Sequence, residues 1–173
     1  MQLHYARPGI GDGSLREPLV ERVKELGLED YVIFTGPLPA EEVQKYYAKA
    51  HIFALAGSVQ KGQHGLPNVL VEAMSSGLSV VTTALPPAVE LIDSGFDGLV
   101  VEDSDQAIYE GLKQVISNPE LRQSFAGRAR EKAIAHFSLQ ANTRRIANLL
   151  RGQIEPTEGT PQAEAAVMGN VHG

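Results

Sequence analysis

Three observations predict an α/β fold built on a doubly wound, mostly parallel, Rossmann-like sheet. Short apolar runs rich in Val, Ile and Phe alternate with amphipathic segments along the 173 residues. That order places parallel strands between crossover helices. Gly and Pro gather mostly at the joins between those segments, where chain reversals need them. The run from His64 to Gly77 leads from a polar, Gly-containing loop into a short apolar helix. Open α/β sheets bind ligands beyond the carboxyl ends of their strands, at joins of this kind.

Taken in order, residues 3–6 read as a first strand, followed by a turn-rich loop over 7–13. Ser14 can cap a helix whose buried stripe is Leu15, Leu19, Val23 and Leu26, with Gly27 ending it. Residues 31–35 form a buried-type strand, and Gly36-Pro37-Leu38-Pro39 breaks the chain. Val43, Tyr46, Tyr47 and Ala50 recur at helical spacing. Residues 51–56 make a third strand, and a polar loop over 57–65 feeds the short helix that starts at Pro67 and stops before Gly77. Proline suits a first helical turn, where a missing N–H costs nothing, and glycine suits a left-handed C′ position. A fourth strand covers 78–82. A Pro86-Pro87 loop then precedes a short helix through Val89, Leu91 and Ile92. Residues 98–101 form a fifth strand, and Ile108, Gly111, Leu112 and Val115 trace the next helix. Asn118 caps a helix with Pro119 at its first position, and Ser138 caps a last one carrying Ile146, Leu149 and Leu150. These elements make one domain over residues 1–151. Residues 152–173, rich in Gln, Glu, Ala, Pro and Gly, read as a disordered tail.

Composition narrows the function. Net charge is −6, which opposes broad attraction to nucleic acid or anionic membrane. There is no cysteine, so disulfide and thiolate chemistry are excluded. No signal peptide and no transmembrane segment are evident, so a cytoplasmic location is expected. His4, His136 and His172 show no metal-ligand spacing, and neither a metal nor another cofactor is expected.

The 64–77 run carries the candidate site. The first turn of its helix leaves free N–H groups and a positive dipole end facing the loop, a natural anion site. Glu72 lies four residues after Asn68, on the same face, and helical side chains lean toward the N-terminus. A phosphate on the amides and a hydroxyl pair on the carboxylate together describe a nucleotide.

These residues bring a family resemblance with them. The stretch from Gly65 to Met74, followed by Gly77-Leu78-Ser79-Val80-Val81-Thr82, resembles the donor-site signature of retaining glycosyltransferases of the glycogen-synthase-like superfamily, group 1 or family 4-like. That superfamily has two Rossmann-like domains and is called the B fold. Gly11-Asp12-Gly13 resembles its G-x-G turn, residues 32–36 its V-x-F-x-G strand, and residues 47–53 its Y-x-x-A-D-x-F segment, with His51 in place of Asp. Glu90, Gly95 and Gly98 resemble its E-x-x-x-x-G-x-x-G close, and Phe137-Ser138 the start of its last helix.

The resemblance implies a chain corresponding to the C-terminal, donor-binding half of the B fold, lacking that half's first strand-helix unit. It implies a nucleoside-diphosphate sugar as donor substrate and an acceptor bound by a missing N-terminal domain, in cis or in trans. Glu72 is implied to hold the ribose hydroxyls. The backbone around Gly65, Leu66, Pro67, Asn68 and Val69 is implied to face the phosphates. The turn carrying Leu38 would meet the base, and Gly11 and Gly13 would let the donor approach. The implied chemistry is transfer with retention of configuration and without a metal, by front-side attack with the leaving phosphate as base. His64 stands eight residues before Glu72, where the family commonly has a first Glu near the donor sugar. A neutral imidazole accepts one hydrogen bond there but brings no negative charge; protonated, it favours phosphate. His64 and Glu72 are therefore the candidate catalytic residues, the isolated chain is expected to be inactive, and unpaired sheet edges would favour self-association.

Plainer readings stand beside these. His64 is equally well an ordinary loop histidine, and Lys61 a solvated lysine rather than a phosphate ligand. Gly9-Ile10-Gly11-Asp12-Gly13 is not G-x-G-x-x-G, and no acidic residue stands at the end of the second strand, so a dinucleotide loop is rejected. Asp103-Ser104-Asp105 resembles a D-x-D metal motif but opens a helix, where capping explains it. The alternatives to a transferase are a degenerate, non-catalytic module that binds a partner protein, and a nucleotide-sugar epimerase-like domain.

Overall fold

A computed structural model describes residues 3–5, 16–57 and 68–151. Its contacts gather into two compact units, Met1–Ala133 and Ile134–Gly173, and the boundary falls inside a long helix. The first unit holds strands β1 (Leu3–Tyr5), β2 (Val32–Phe34), β3 (Ile52–Leu55), β4 (Ser79–Thr83) and β5 (Leu99–Val101). Its helices are α1 (Arg16–Glu25), α2 (Ala40–Lys49), α3 (Asn68–Ser75), α4 (Pro86–Leu91), α5 (Asp105–Ser117) and most of α6 (Pro119–Phe137). In the second unit, α7 (Leu139–Leu150) follows directly after Ser138, and Leu139 and Ile146 on it are exposed. The tail expected over 152–173 lies outside the described residues. Among the described residues, no helix is long and apolar enough to cross a membrane.

Every ladder between named strands is parallel, but the strands form two sheets rather than one. β1 pairs with β2, and β3-β4-β5 form a separate sheet with β4 at its centre. β4 is buried along its whole length. Its alternation sends Val80 into one core cluster, with Leu70, Ala73 and Met74 of α3, Val43 and Tyr47 of α2, and Ala88 and Leu91 of α4. Val81 goes to the opposite cluster, with Leu99, Val115 and Phe125. Helices on both faces of a parallel sheet are the doubly wound arrangement. α6 serves both faces, giving Phe125 to one cluster and Ala129 and Ala133 to the other. Gly111 lets α5 lie close: a Cβ there would meet Val101 and Val81 methyls at 3.1 and 3.2 Å.

Two sequence expectations are corrected. The stripe on α1 is not buried: Leu19 and Leu26 are 44% and 52% exposed, Val23 is half-buried, and no residue of α1 is buried. Its periodicity is helical, but periodicity marks an apolar side without showing that anything covers it. Pro86 and Pro87 are not a loop before a helix but the first residues of α4, with Leu85 as N-cap. Neither proline needs a donor there. Val89, expected on the apolar side, is exposed, whereas Ala88, Leu91 and Ile92 are buried.

The expected caps are present on α5 and α6. Ser104 Oγ accepts the Ala107 N–H at 3.2 Å, and Asn118 Oδ1 accepts that of Leu121 at 3.0 Å. Gly77 ends α3 at φ 76°, with its N–H on the Met74 carbonyl and the Leu78 N–H on that of Ala73. That is a Schellman closure, which any residue with a Cβ would strain. Arg130 Nε donates to the Ser75 carbonyl at 3.2 Å and ties α6 to the same helix end.

One buried charge carries part of this fold. Asp97, 1% exposed, accepts the Asp93 N–H on one oxygen and the Lys132 ammonium on the other, each at 2.8 Å. Lys132 also donates to exposed Asp93 at 2.8 Å. Partial burial pulls the Lys132 pKa down, but hydrogen bonds and charge from Asp93 and Asp97 outweigh it and leave it above the ordinary 10.5. Arg128 stacks on the Phe96 ring at 4.3 Å and donates to its carbonyl, so α6 grips the 93–97 turn at two points. Lys132→Met leaves the buried carboxylate without its counter-charge and is expected to cost about 3 kcal/mol in urea unfolding at neutral pH. Asp93→Asn breaks only a solvated ion pair and is expected to cost no more than about 1 kcal/mol. Because the folded-state pKa of Lys132 is raised, its contribution is complete below pH 10.5 and declines as pH climbs past the raised value. The wild-type advantage over Lys132→Met should therefore narrow in strongly alkaline buffer.

Candidate functional site

The site is assembled at the carboxyl end of β3. Thr83, at the end of neighbouring β4, donates its hydroxyl to the Gly57 carbonyl at 2.7 Å and accepts the Gly57 N–H at 3.1 Å. These two hydrogen bonds fix the point where the chain leaves β3. Of the expected site residues, Gly11, Gly13, His64, Gly65, Leu66 and Pro67 lie outside the described residues. Leu38, Asn68, Val69 and Glu72 lie within them.

Asn68 and Val69 occupy the first turn of α3, where backbone N–H groups have no partner within the helix. Leu70, Ala73 and Met74 turn inward and are fully buried. Burial of Leu70 and Met74 contributes on the order of 1.5–3 kcal/mol each. Glu72 lies on the opposite, exposed side of the same helix. Leu38, in the turn between β2 and α2, is half-buried and packs on the cluster that contains Val43 and Tyr47.

Glu72 has one side-chain partner among the described residues. The Tyr47 hydroxyl of α2 reaches its Oε2 at 3.4 Å, at the long end of hydrogen-bond distance. The Tyr47 ring is 7% exposed and meets Phe53 of β3 edge-on, with centroids 6.0 Å apart and planes at 67°. Burial, the Glu72 charge and the hydrogen bond to it push the Tyr47 pKa up to about 12. The phenol therefore keeps its proton near neutral pH and acts as donor to the carboxylate. Sequence reading treated Tyr47 as a core residue of α2. Its helical spacing signals burial but not a partner 25 residues away.

The arrangement presents helix-start amides with no partner within the helix and, a turn further on, a solvent-facing carboxylate whose Oε2 meets Tyr47 and whose other oxygen has no partner among the described residues. Among the described residues, no group of three or more His, Asp or Glu is placed to hold a metal ion.

Residues 10–132 match the sequence model of the family Glycosyl transferases group 1. Over 128 residues the chain is 33% identical to the N-acetylgalactosamine-N,N'-diacetylbacillosaminyl-diphospho-undecaprenol 4-alpha-N-acetylgalactosaminyltransferase of Campylobacter jejuni, covering 73% of this chain and 33% of that protein. Over 150 residues it is 29% identical to the GDP-mannose-dependent alpha-(1-6)-phosphatidylinositol monomannoside mannosyltransferase of Mycolicibacterium smegmatis, covering 84% and 39%. The chain thus spans between a third and two fifths of the length of these curated relatives. Among solved structures, it resembles the C-terminal domain of a glycosyl transferase group 1 family protein, LpcC, from Francisella tularensis. The TM-score is 0.67 and the identity 27%, over 75% of this chain and 65% of that one. The α/β architecture with its parallel sheets is therefore that of part of a glycosyltransferase B fold, and the chain belongs to the glycosyl transferases group 1 family.

Proposed function

We propose that this chain is the donor-binding half of a retaining glycosyltransferase. It holds a nucleoside-diphosphate sugar while an acceptor-binding domain outside these 173 residues, in cis or in trans, brings the nucleophile. The observation that carries the reading is Glu72: a carboxylate on the exposed side of a helix whose other side is buried, one turn beyond the helix start. Both oxygens of a 1,2-diol suit such a carboxylate, and the helix start suits the diphosphate.

In this reading Glu72 takes the ribose, and the backbone of Gly65, Leu66, Pro67, Asn68 and Val69 faces the phosphates. The turn carrying Leu38 faces the base, and Gly11 and Gly13 give the donor room. His64 lies near the sugar or the leaving phosphate. The relatives support a nucleotide-sugar donor, since one is named for its dependence on GDP-mannose. Neither metal nor other cofactor enters the proposed chemistry: the leaving diphosphate is met by peptide dipoles and itself removes the acceptor proton. The domain would span 1–151, with 152–173 as a tail, and would work in the cytoplasm, where nucleotide sugars are used.

Titration of the full chain with UDP, GDP and ADP, followed by amide NMR, is expected to move the signals of residues 65–72 at millimolar concentration. Glu72→Ala should weaken the tightest of them about tenfold or more. Saturating nucleotide that leaves those amides unmoved would sink the donor assignment.

The divided sheet favours a second reading, in which the chain is a non-catalytic module completed by a partner. Among the described residues, β3 pairs only with β4 and its other edge is open. An edge of this kind accepts an extended segment by strand addition. On this reading, size-exclusion with light scattering should show association that grows with concentration. A monomer over a wide concentration range would count against strand exchange between copies.

A further inference from the structure

We infer that Tyr47 is a positioning residue for donor recognition, holding the Glu72 carboxylate in the orientation that reads a ribose. The inference rests on the donor-site reading above and adds to it the residue that sets the carboxylate's direction.

Three features of the structure carry it. First, α2 and α3 are separate helices joined through one buried cluster that contains both Tyr47 and the inward face of α3. The pair therefore bridges two elements whose relative placement the core already fixes. Second, the Tyr47 ring has little freedom: it is almost wholly buried and is braced edge-on by Phe53 of β3. Its hydroxyl consequently points to one place, and Glu72 Oε2 is there. Third, the bond is single and long at 3.4 Å. It biases an exposed, flexible glutamate without saturating it, and leaves the second carboxylate oxygen for a ligand. Hydrogen bonds of this kind are often loose in the free protein and tighten around the ligand.

A glutamate at an exposed helical position otherwise samples several rotamers, and freezing one on binding costs entropy. Tethering one oxygen in advance lowers that cost for any ligand offering a hydroxyl to the other. The benefit falls on ligands that engage Glu72, so Tyr47 should act on ribose selectivity rather than on phosphate affinity.

The test uses the full chain as the wild type and three variants: Tyr47→Phe, Glu72→Ala and the two combined. Each is titrated with UDP and with 2′-deoxy-UDP, and with the guanosine pair if GDP binds more tightly. Tyr47→Phe keeps the ring and its contact with Phe53 and removes only the hydroxyl, so the far-UV spectrum and amide pattern should stay native. The expected result is a loss of about three- to tenfold in affinity for the ribonucleotide, with a smaller change for the deoxynucleotide. In the Glu72→Ala background the same substitution should change affinity by less than about twofold, since the hydroxyl then has nothing to orient. An unaltered preference for ribose over deoxyribose in Tyr47→Phe overturns the positioning role while leaving the donor site intact. An equal loss with and without Glu72 also overturns it, because the effect then comes from general packing. Absence of nucleotide binding by the wild type overturns both this inference and the donor reading.

Discussion

A parallel strand buried on both faces is the constraint on which the rest of this structure depends. β4 offers five consecutive buried positions, and each face of the strand must be covered by a helix because no water is left to do it. α3 covers the Val80 side and α5 the Val81 side. With α3 held there by Leu70, Ala73 and Met74, its solvent side and its N-terminal turn have little choice of position. The backbone of Glu72 is placed by the hydrophobic side of its helix, and the Tyr47 hydroxyl meets only the end of its side chain. The Schellman closure at Gly77 and the Arg130 bond to Ser75 fix the far end of the same helix.

Polar pairs then act at the rim of that core, and their cost depends on how deep they sit. Asp97 is buried and must be matched, so Lys132 and the Asp93 amide both serve it. The Tyr47–Glu72 pair is different: the phenol is buried, but the carboxylate faces water. Its loss costs the fold little, and its presence costs little to maintain. A weak tether at an exposed acid has small value for stability, so its value is better sought in what the acid does. The contrast separates the two pairs physically. One matches a buried charge in a turn that Arg128 also holds, and the other, on the proposed reading, aims a group that stability alone would leave free.

Much of this was legible in the sequence because the signals were local. The apolar run at 78–82, the glycine at 77, the caps at Ser104 and Asn118, and the inward residues Gly111 and Val115 of α5 are each decided within a few neighbours. Periodicity also revealed α1 as a helix, yet Leu19 and Leu26 are exposed. A stripe reports that a helix has an apolar side, not that anything covers it. Pro86-Pro87 was misread because two prolines signal a break, and only the following turn shows that the break is a helix start. Asp97–Lys132 and Tyr47–Glu72 left no trace at all. Their partners are 35 and 25 residues apart, and nothing near either member announces the other. The site residues from 64 to 67 are legible only through a motif and lie outside the described residues.

The division of the sheet bears on how strongly such a half-site could bind. On the proposed reading, a carboxylate hydrogen-bonded to ribose contributes about 1.5–3 kcal/mol, and a solvent-exposed helix start adds about 0.3–1 kcal/mol toward a phosphate. Together they approach the roughly 4 kcal/mol that corresponds to millimolar affinity. Higher affinity needs the same groups in a drier place, where a charge-assisted bond is worth more because water no longer competes. Neither α1 nor the open edge of β3 provides that cover: α1 buries none of its residues, and no strand lies beyond the edge among those described. A second body closing over the carboxyl end of β3 would exclude water from the donor and bring the acceptor in one movement. On that reading donor grip and transfer would rise together on assembly, and the domain by itself would hold an activated sugar only loosely.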